Sequence, residues 1–599
     1  MKESINIGYE QRIEVLSVLE KKQESILKNI LIGRVSSFII LLLLVAFSIY
    51  TNSGAVLWFS LFPFLGFTLL LIKNRKENAK LLLIQKKIST NKDELQYLKS
   101  DFSPFENGTN FIDSSHNFSH DLDVFGKGSL FQSINRTSSA ESEETLAKLL
   151  QHPFVSEKEI LERQKGIAEL TSKVEWREEF RAKGKLFATQ KNKAELVSGW
   201  NKEEVPGFEN LKLWKFILWG IPVFMCLIFI LAYFAYLPWG VAILAASIPL
   251  GLVGNKLKLI NKQHSKISQF LPVLQQNSQL TKLIEDEPFE STILLEFQKK
   301  LKNKKNIASE EISELAKLTQ QLDNRSNPVF AIVMNALFIW DLQYLFRLKQ
   351  WLTKNENNLK SWFEAVYNIE TFLSLATYSY NNPTFSQAIP SSESVIKTTK
   401  LAHPLLPNKT RIANDFETKN LQEFEIITGA NMAGKSTFLR AIGINLILAN
   451  CGAPVCAEFF SFNPITIFSS MRTSDSLKNN ESYFYSELKR LQTIVEKLKT
   501  GEKLFVILDE ILKGTNSKDK AEGSKKFVKQ ILKYQAAGII ATHDLSLCSL
   551  KDEFPEQIEN KYFDVEIEND QLVFDYKLKN GICSNMNAEF LMKKMGITD

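Results

Sequence analysis

The sequence is poor in cysteine, with five in 599 residues, and this scarcity limits the kinds of site that the chain can build. The five are scattered, at positions 226, 451, 456, 548 and 583, and their number is odd. We expect no disulfide framework, no disulfide partner and no four-ligand zinc site, because no second cysteine pair completes one. Cys451 and Cys456 are expected to pack as small apolar residues, and a reducing cytoplasm fits this usage.

Neither sign of charge is in large excess. Lys and Arg number 73 against 67 for Asp and Glu, a net charge of +6. This balance permits an acidic partner, such as nucleic acid or anionic lipid, without demanding one. Charged residues at 23% and hydrophobic residues at 44% indicate a globular chain. The length exceeds one ordinary core, so two or more domains are expected.

Charge is absent from four apolar runs, which are paired by short uncharged turns and cover residues 35–50 and 55–72, then 216–236 and 241–253. About 20 such residues span the hydrocarbon of a bilayer. The pattern therefore predicts two transmembrane hairpins, at 35–72 and 216–254. A buried soluble hairpin is the alternative. A signal peptide is not expected, because the first run begins late and no small-residue cleavage site follows it.

Basic residues flank both hairpins on the side away from the turns, among them Arg34, Lys73, Lys212, Lys215 and Lys256. The positive-inside rule then places the N-terminus, the connector and everything after 254 in the cytoplasm. The expected location is the inner, cytoplasmic membrane, crossed by four spans.

Another apolar stretch, Val329 to Leu348, carries Asn335, Asp341, Gln343 and Arg347. A fifth span here would move the C-terminal part of the chain across the membrane. We therefore expect a buried helix within a helical domain.

The most informative motif follows a short apolar run that ends at Thr428. Gly429 to Ser436 fits G-x-x-x-x-G-K-S, the phosphate-binding loop, and a helical pattern follows it. Backbone N–H groups and the helix N-terminus are suited to hold the charged tail of a nucleoside triphosphate. We expect Lys435 to reach the β- and γ-phosphates and Ser436 to bind Mg²⁺. The expected nucleotide-binding residues are Gly429, Ala430, Asn431, Met432, Ala433, Gly434, Lys435, Ser436 and Thr437.

Two further apolar runs end in polar residues. Residues 504–508 are followed by Asp509 and Glu510, and residues 538–542 are followed by His543. Strands of this kind suit the centre of a parallel sheet, which binds its ligands at the carboxyl ends of the strands. We expect Asp509 to hold Mg²⁺ through water, Glu510 to polarise the attacking water as a general base, and His543 to contact the γ-phosphate.

Several segments together resemble the MutS family of mismatch-repair ATPases. Residues 428–437 are similar to the family's T-G-P-N-M-x-G-K-S-T, with Ala430 in place of Pro. The family's other motifs are matched in order at 128–137, where Asn135 replaces Asp, and at 403–404, 482–487, 509–519 and 541–543. The resemblance covers about residues 125–599 and is most specific over 401–599.

The resemblance implies an α/β ABC-type P-loop ATPase domain, preceded by a mostly α-helical core and lever domain that carries both hairpins. It also implies a homodimer with ATP and Mg²⁺ between the two ATPase domains, where Ser482 of one subunit reaches the γ-phosphate of the other. The expected divisions are 1–34 N-terminal helix, 35–72 hairpin, 73–127 connector, 128–400 core and lever domain with the hairpin at 216–254, and 401–599 ATPase.

Duplex DNA, mismatched or branched, is the partner that the family implies, but several departures leave alternatives open. No Phe-x-Glu reading motif precedes the core, and no adenine-stacking aromatic is evident near Ile412, where we expect Arg411 to substitute. The basic run Lys299–Lys305 suits DNA or lipid phosphates equally, or a solvated helix face. A regulator of a membrane-bound protein or lipid, a transporter and a scaffold without activity are the competing functions. The charge-free runs and the lack of an L-S-G-G-Q signature disfavour the transporter.

Overall fold

The computed structural model describes residues 2–154, 156–186, 208, 210–303, 306–430, 432–472, 483–568 and 571–583. The chain begins with helix α1, Lys2–Thr51, a short helix α2, Gly54–Phe59, and helix α3, Leu61–Leu98. Helices α1 and α3 pack against each other in antiparallel fashion, and Asn52, with a φ of 51°, lies in the predicted turn between them. The expected N-terminal helix and the first hairpin therefore form one continuous helical pair.

Helices also make up most of the chain between this pair and the ATPase-like region. Their bounds are α4 Leu130–Ile134, α5 Ala140–Gln151, α6 Glu157–Ser172, α7 Val174–Leu186, α8 Leu211–Tyr233, α9 Trp239–Ala245, α10 Ser247–Asn255, α11 Leu257–Ile267, α12 Leu271–Asp286, α13 Thr292–Leu301, α14 Ala308–Asp323, α15 Pro328–Phe338 and α16 Trp340–Asn381. A small hairpin of β1, Lys302–Asn303, and β2, Asn306–Ile307, joins α13 to α14. The basic run that begins at Lys299 thus leaves the helix end and enters this hairpin.

Helices α8, α9, α10 and α15 pack together, and we refer to them as the second apolar group. The prediction of one buried helix over 329–348 is wrong. The chain breaks at Ile339, which has a φ of 46°, and the two helices on either side are bent by 79°. Helix α15 is also not buried, since Val329 is 72% and Ile332 is 61% exposed.

Polar residues within that apolar stretch explain the break. The side-chain oxygen of Asn335 accepts a 3.0 Å hydrogen bond from the backbone N–H of Asp341, beyond the end of α15. The carboxylate of Asp341 in turn lies 3.0 Å from Nε of Arg325. These contacts satisfy polar groups at the bend, where a continuous apolar pattern had indicated a continuous helix.

Within the described residues, three helices are long and apolar enough to cross a membrane, Glu3–Thr51, Gly54–Leu98 and Lys212–Tyr233. Two bent pairs, Trp239–Asn255 with Leu257–Lys266 and Pro328–Phe338 with Trp340–Asn355, raise the number to five if each is one span. The expected count of four lies within this range and stays a prediction.

A buried ionic cluster joins α3 to the helical domain and to the end of α16. Oε1 of Glu94 lies 2.8 Å from Nε of Arg136 and also contacts Arg181, while Oε2 accepts a 2.7 Å hydrogen bond from Asn381. The hydroxyl of Tyr9 on α1 donates to Asn381 at 2.9 Å. Burial alone would raise the pKa of Glu94, but the two guanidinium groups outweigh it and lower the pKa to about 2.

The C-terminal region is built around a sheet with the strand order β14–β11–β6–β10–β9–β8. Its strands are β6 Phe424–Gly429, β8 Thr466–Ser470, β9 Leu504–Asp509, β10 Ala536–Ala541, β11 Ile558–Phe563 and β14 Leu578–Asn580. All neighbouring pairs are parallel except β11 with β14. The predicted apolar runs are therefore central parallel strands.

Both faces of this sheet are covered. Phe505 and Ile507 of β9 pack in one apolar cluster, and Val506 and Leu508 pack in another on the opposite face. The covering helices are α17 Lys435–Asn450, α18 Tyr483–Lys499, α19 Ser517–Ile531 and α20 Leu550–Glu553. Cys451 and Cys456 are buried, as predicted.

A second sheet, in the order β3–β7–β4–β5, lies beside the first. It consists of β3 Ile389–Pro390, β4 Ile396–Leu401, β5 Asn414–Thr418 and β7 Phe459–Phe462. Strands β3 and β4 precede the boundary expected at 401, so the sheet region begins earlier in the chain. A short hairpin of β12, Glu566–Glu568, and β13, Gln571–Val573, completes the described strands.

Candidate active site

The candidate residues meet where three neighbouring parallel strands end. Strand β6 ends at Gly429, β9 ends at Asp509 and β10 ends at Ala541, and register pairs Ala541 with both Asp509 and Ile427. Because carboxyl ends of parallel strands lie at one edge, the phosphate-loop motif, the acidic pair and His543 converge there. The sequence analysis expected Asp509, Glu510 and His543 at the carboxyl ends of central parallel strands, and they lie there.

The loop after β6 needs its glycines. Gly429 has a φ of 149°, and a Cβ there would lie 2.7 Å from the carbonyl oxygen of Phe563. Gly434 has a φ of 98° and immediately precedes α17, where a Cβ would lie 3.0 Å from the ring of Tyr576. The loop therefore keeps its backbone close to its neighbours, and it presents the N–H groups of the first turn of α17 to the cavity described below.

Lys435 is the first residue of α17 and is almost fully buried. Its Nζ donates hydrogen bonds to the carbonyl oxygens of Gly429 at 2.8 Å and Ala430 at 2.9 Å. Burial lowers the pKa of Lys435, and the nearby charges of Glu510 and Asp509 oppose that shift. The ammonium group is thus held at the centre of the loop, where it faces both acids.

Glu510 and His543 form a pair beside Lys435. Oε1 of Glu510 lies 2.8 Å from Nε2 of His543, and Nζ of Lys435 lies 3.2 Å from the same ring nitrogen. The hydrogen bond from His543 is the main reason that the pKa of Glu510 is lowered, to about 2. A carboxylate this acidic is ionised at neutral pH and is a weak proton acceptor. The Glu510 carboxylate is better suited to orient and polarise a water molecule than to accept a proton from that water and hold it.

Glu487, on α18, holds the segment that follows Glu510. Its carboxylate accepts hydrogen bonds from the backbone N–H groups of Leu512 at 2.6 Å and Lys513 at 3.1 Å. Leu512 has a φ of 60°, so this anchor supports an unfavourable backbone conformation. Burial raises the pKa of Glu487. Its place in the 482–487 motif was the only sequence signal for this positioning role.

A cavity of about 680 Å³ contains these groups. Its polar lining residues include Lys435, Ser436, Thr437, Asp509, Glu510, Lys513 and His543. Leu406, Ile412, Asn414, Met432 and Tyr576 also line it. A cavity of this size, with charged and apolar side chains in one lining, suits a nucleotide.

Tyr576 is a cavity residue that sequence reasoning missed. Asn414 fixes its segment, since the side-chain amide donates to the carbonyl oxygen of Tyr576 at 3.0 Å and accepts from the N–H of Leu578 at 2.8 Å. The ring stacks on Phe574 with 5.8 Å between centroids. The nearest signal is the Phe-x-Tyr spacing itself, which is too common to indicate a site.

The expected stacking role of Arg411 is wrong. Its guanidinium donates to the carbonyl oxygens of Leu406 at 2.6 Å and Pro404 at 2.9 Å, and it packs over the ring of Phe385. Arg411 does not line the cavity. Carbonyl oxygens of the preceding turn capture its donors and hold the side chain away from the site.

Two of the predicted site residues, Asn431 and Ser482, lie outside the described residues. In the part of the chain that is described, no three His, Cys, Asp or Glu side chains cluster as a metal site. Ser436 and Asp509 line one cavity and offer two oxygen ligands. That set fits Mg²⁺, which takes one or two protein ligands and completes its shell with phosphate oxygens and water.

The part of the chain that contains the candidate site is similar to known proteins. The family model described as MutS domain V matches residues 425–590. The DNA mismatch repair protein MutS of Thermotoga petrophila is 31% identical over 226 residues, which are 37% of this chain and 27% of that protein. MutS protein homolog 4 of Homo sapiens is 32% identical over 195 residues, 31% of this chain and 20% of the relative. The chain thus spans about a quarter of the length of the curated relatives it matches.

Proposed function

This chain is a MutS-family protein through its C-terminal domain, and from that premise we propose that it is a membrane-anchored ATPase. In this proposal it binds and hydrolyses ATP with Mg²⁺ at the interface of a homodimer. The free energy of ATP binding and hydrolysis is coupled to the binding of mismatched or branched DNA. The single observation that carries the proposal is the meeting of Lys435, Asp509, Glu510 and His543 in one cavity.

The cavity has the polar groups that a triphosphate requires. The N–H groups from Gly429 to Thr437 and the ammonium of Lys435 would hold the phosphate oxygens. Ser436 and Asp509 would hold Mg²⁺, which supplies charge neutralisation at the phosphates when bound. Ile412 and Tyr576 would enclose the base, a role that their place in the cavity lining supports.

Hydrolysis would depend on the pair of Glu510 and His543. His543 donates its hydrogen bond to Oε1 of Glu510 and so fixes the direction in which that carboxylate faces the cavity. Glu510 orients the attacking water, and its low pKa keeps it ionised for this role. Glu487 acts indirectly, because it holds the backbone of Leu512 and Lys513 next to the catalytic carboxylate.

The dimer is proposed from the same cavity. In one chain Ser436 and Glu510 are each only partly buried, so a second copy could approach the proposed phosphate site. That copy would bring Ser482, which precedes its α18 in the sequence, to the γ-phosphate. The helix N-terminus there adds favourable partial charge at the phosphate.

Membrane anchoring is supported by apolar surface that the fold leaves uncovered. In the most apolar 18-residue segments of the α1 and α3 helices only 6% of the residues are buried, and in that of α8 17% are buried. Leu43, Ile49, Trp58 and Phe62 are all more than 60% exposed. Surfaces of this extent suit a lipid environment. We propose the inner membrane, with the N-terminus and the ATPase domain in the cytoplasm.

Coupling between the membrane and the ATPase domain is favoured by α16. This helix of 42 residues is about 63 Å long. It starts at the second apolar group and ends at Asn381, shortly before β3. This continuity favours a second candidate, a membrane-bound regulator of a protein or lipid that uses the same ATPase without DNA.

The test is the ATPase rate of the full-length protein in detergent, with and without duplex, mismatched and branched DNA, at low and moderate salt. We expect Mg²⁺-dependent turnover that Lys435→Ala abolishes and that one DNA structure stimulates. Turnover that is indifferent to every DNA would contradict the DNA coupling and favour the second candidate. Absence of turnover in the wild-type protein would contradict the ATPase itself.

A further inference from the structure

A groove of about 790 Å³ lies between α8 and the first turns of α16. On α8 its wall is a stripe at helical spacing, formed by Trp219, Val223, Leu227 and Ile230. These side chains are between 53% and 74% exposed. Lys215 of α8 and Arg347 of α16 also line the groove, and none of its lining residues is acidic. The residues beside them, Trp214 and Phe346, both pack against Phe208, so the two helices are close together at the level of the two cations.

Gln343, which also lines the groove, has a structural role. Pro222 lacks an N–H, so the carbonyl oxygen of Leu218, four residues earlier, loses its helical donor. The side-chain amide of Gln343 donates to that oxygen at 3.2 Å and to the carbonyl oxygen of Phe338 at 3.0 Å. The contact fastens α8 to the bend at Ile339, and it fixes the width of the groove at this point.

Lys215 and Arg347 differ from Gln343, because they are not paired within the fold. The polar side chains of Asn335 and Asp341 make their contacts at the bend, with the N–H of Asp341 and with Arg325. Among the described residues, neither Lys215 nor Arg347 has a carboxylate within ion-pair distance, and both side chains are exposed. The guanidinium of Arg347 contacts the ring of Tyr344, with 5.2 Å to the centroid. Two cations therefore face the mouth of an apolar groove that has no acidic residue.

We propose that this groove binds one anionic phospholipid of the inner leaflet. Its phosphate is held between Lys215 and Arg347, and one acyl chain lies along the stripe from Trp219 to Ile230. The site rests on the membrane insertion proposed above. Under that topology, Lys215 lies at the cytoplasmic interface, where anionic lipids are concentrated.

The dimensions agree with this occupant. Ile230 lies 15 residues after Lys215, which corresponds to a rise of about 22 Å along the helix. One leaflet contributes about 15 Å of hydrocarbon, and the head-group region adds the rest. A free phosphate ion would use only the two cations and would leave the apolar stripe uncovered. The stripe and the cations together therefore select an amphiphile with a negative head group.

The test is native mass spectrometry of the full-length protein in mild detergent. The protein is titrated with phosphatidylglycerol or with phosphatidylcholine of the same acyl chains. We expect wild-type protein to retain phosphatidylglycerol about thirtyfold better, as two interfacial cations would give. The double variant K215Q/R347Q should lose this preference. Lys212→Gln is the matched control, because Lys212 lies on the same helix, is exposed and does not line the groove.

A second variant, Val223→Trp, tests the groove without changing a charge. It should fill the stripe and reduce retention of both lipids about fivefold or more, with the size-exclusion profile unchanged. Equal retention of the two lipids by wild-type protein, or a preference that K215Q/R347Q keeps, would overturn the site. Carbonate extraction of native membranes distinguishes the proposed lipid site from the proposed membrane anchoring. Protein that stays in the membrane but has no head-group preference contradicts the lipid site alone, and protein that is extracted contradicts the anchoring.

Discussion

Nε2 of His543 lies 2.8 Å from Oε1 of Glu510. His543 follows strand β10 and Glu510 follows the neighbouring strand β9, so a side chain at the end of one strand orients the carboxylate at the end of the other. Neighbouring strands β9 and β10 are parallel and in register, which is why residues 33 positions apart meet in this way. A carboxylate can only accept, so Nε2 carries the hydrogen in this contact. The contact makes Glu510 more acidic and fixes its direction at the same time.

The substitution Glu510→Gln tests the role of this carboxylate. It keeps the shape of the side chain and removes the charge that would polarise water in the proposed mechanism. We expect turnover to fall about a hundredfold or more while ATP stays bound. Single-turnover kinetics and retention of labelled nucleotide measure the two effects. Glu502→Gln, an exposed acid before β9, is the control and should leave both unchanged. Unchanged turnover in the Glu510 variant would exclude it from catalysis.

Glu487→Ala tests the support of the loop that follows Glu510. Loss of the carboxylate frees the N–H groups of Leu512 and Lys513, and the catalytic segment then loses its fixed position. We expect kcat to fall about tenfold or more and the nucleotide Kd to change little. Glu496→Ala, on the exposed face of the same helix, should affect neither. A rise in Kd at constant kcat would instead place Glu487 in nucleotide binding.

Tyr576→Ala tests the proposed base contact. The ring lines the cavity, as Ile412 does, and its loss should weaken ATP binding about fivefold to tenfold. Tyr576→Phe keeps the ring and should bind as the wild type does. Fluorescence titration with a labelled adenine nucleotide measures the two Kd values. Equal Kd values for the Ala variant and the wild type would place the base elsewhere.

Glu94→Gln tests the buried cluster and its pH dependence. Removal of one partner leaves Arg136 and Arg181 buried without their counter-charge, so we expect a loss of about 3 kcal/mol in the free energy of unfolding. Because the folded-state pKa of about 2 lies below the ordinary 4.5, the contribution of Glu94 is complete above pH 5 and is lost as pH falls toward 2.

Thermal unfolding in detergent between pH 7 and pH 3 measures both effects of the Glu94 change. The wild type should lose stability on acidification more steeply than the variant. The control is Glu175→Gln, whose carboxylate is 83% exposed and pairs with Arg12 at 3.3 Å. An exposed pair of this kind contributes well under about 1 kcal/mol. Equal effects of the two substitutions would contradict the ionic role of Glu94.

A double-mutant cycle tests the pairing of Gln343 with the helix that contains Pro222. Gln343→Leu should cost about 1 kcal/mol, because the carbonyl of Leu218 loses its donor. In a Pro222→Ala background the restored N–H at position 222 satisfies that carbonyl, so the same substitution should cost much less. Thermal unfolding of the four proteins gives the coupling energy. A cost that is identical in both backgrounds would separate Gln343 from Pro222.

The sequence was sufficient to predict the phosphate loop, the acidic pair and the strands that precede them. Each is a local pattern: a glycine-bounded turn, or an apolar run that ends in a polar residue. The apolar helices were also predictable, because absence of charge over a long run is a local property. Helix α1 and helix α3 extend beyond the predicted hairpin because polar residues continue the same helical period.

Features that depend on distant partners could not be predicted. The bend at Ile339 depends on Asp341 meeting Arg325, and the guanidinium of Arg411 packs over the ring of Phe385, 26 positions earlier. The Glu94 cluster joins residues up to 287 positions apart. No spacing in the sequence indicates such pairs, because the fold alone determines which charges are buried together.

The unbroken length of α16 has a mechanical consequence. One continuous α-helix of 42 residues acts as a stiff rod rather than a tether. If it pivots by about 5° near Asn381, its far end moves by about 5 Å, since the rod is about 63 Å long. A displacement of that size equals roughly one helical turn. A small rotation near Asn381 would therefore produce a larger displacement among the apolar helices at the other end of α16. Conversely, a force applied to those helices would produce a smaller displacement near Asn381, with a correspondingly larger force.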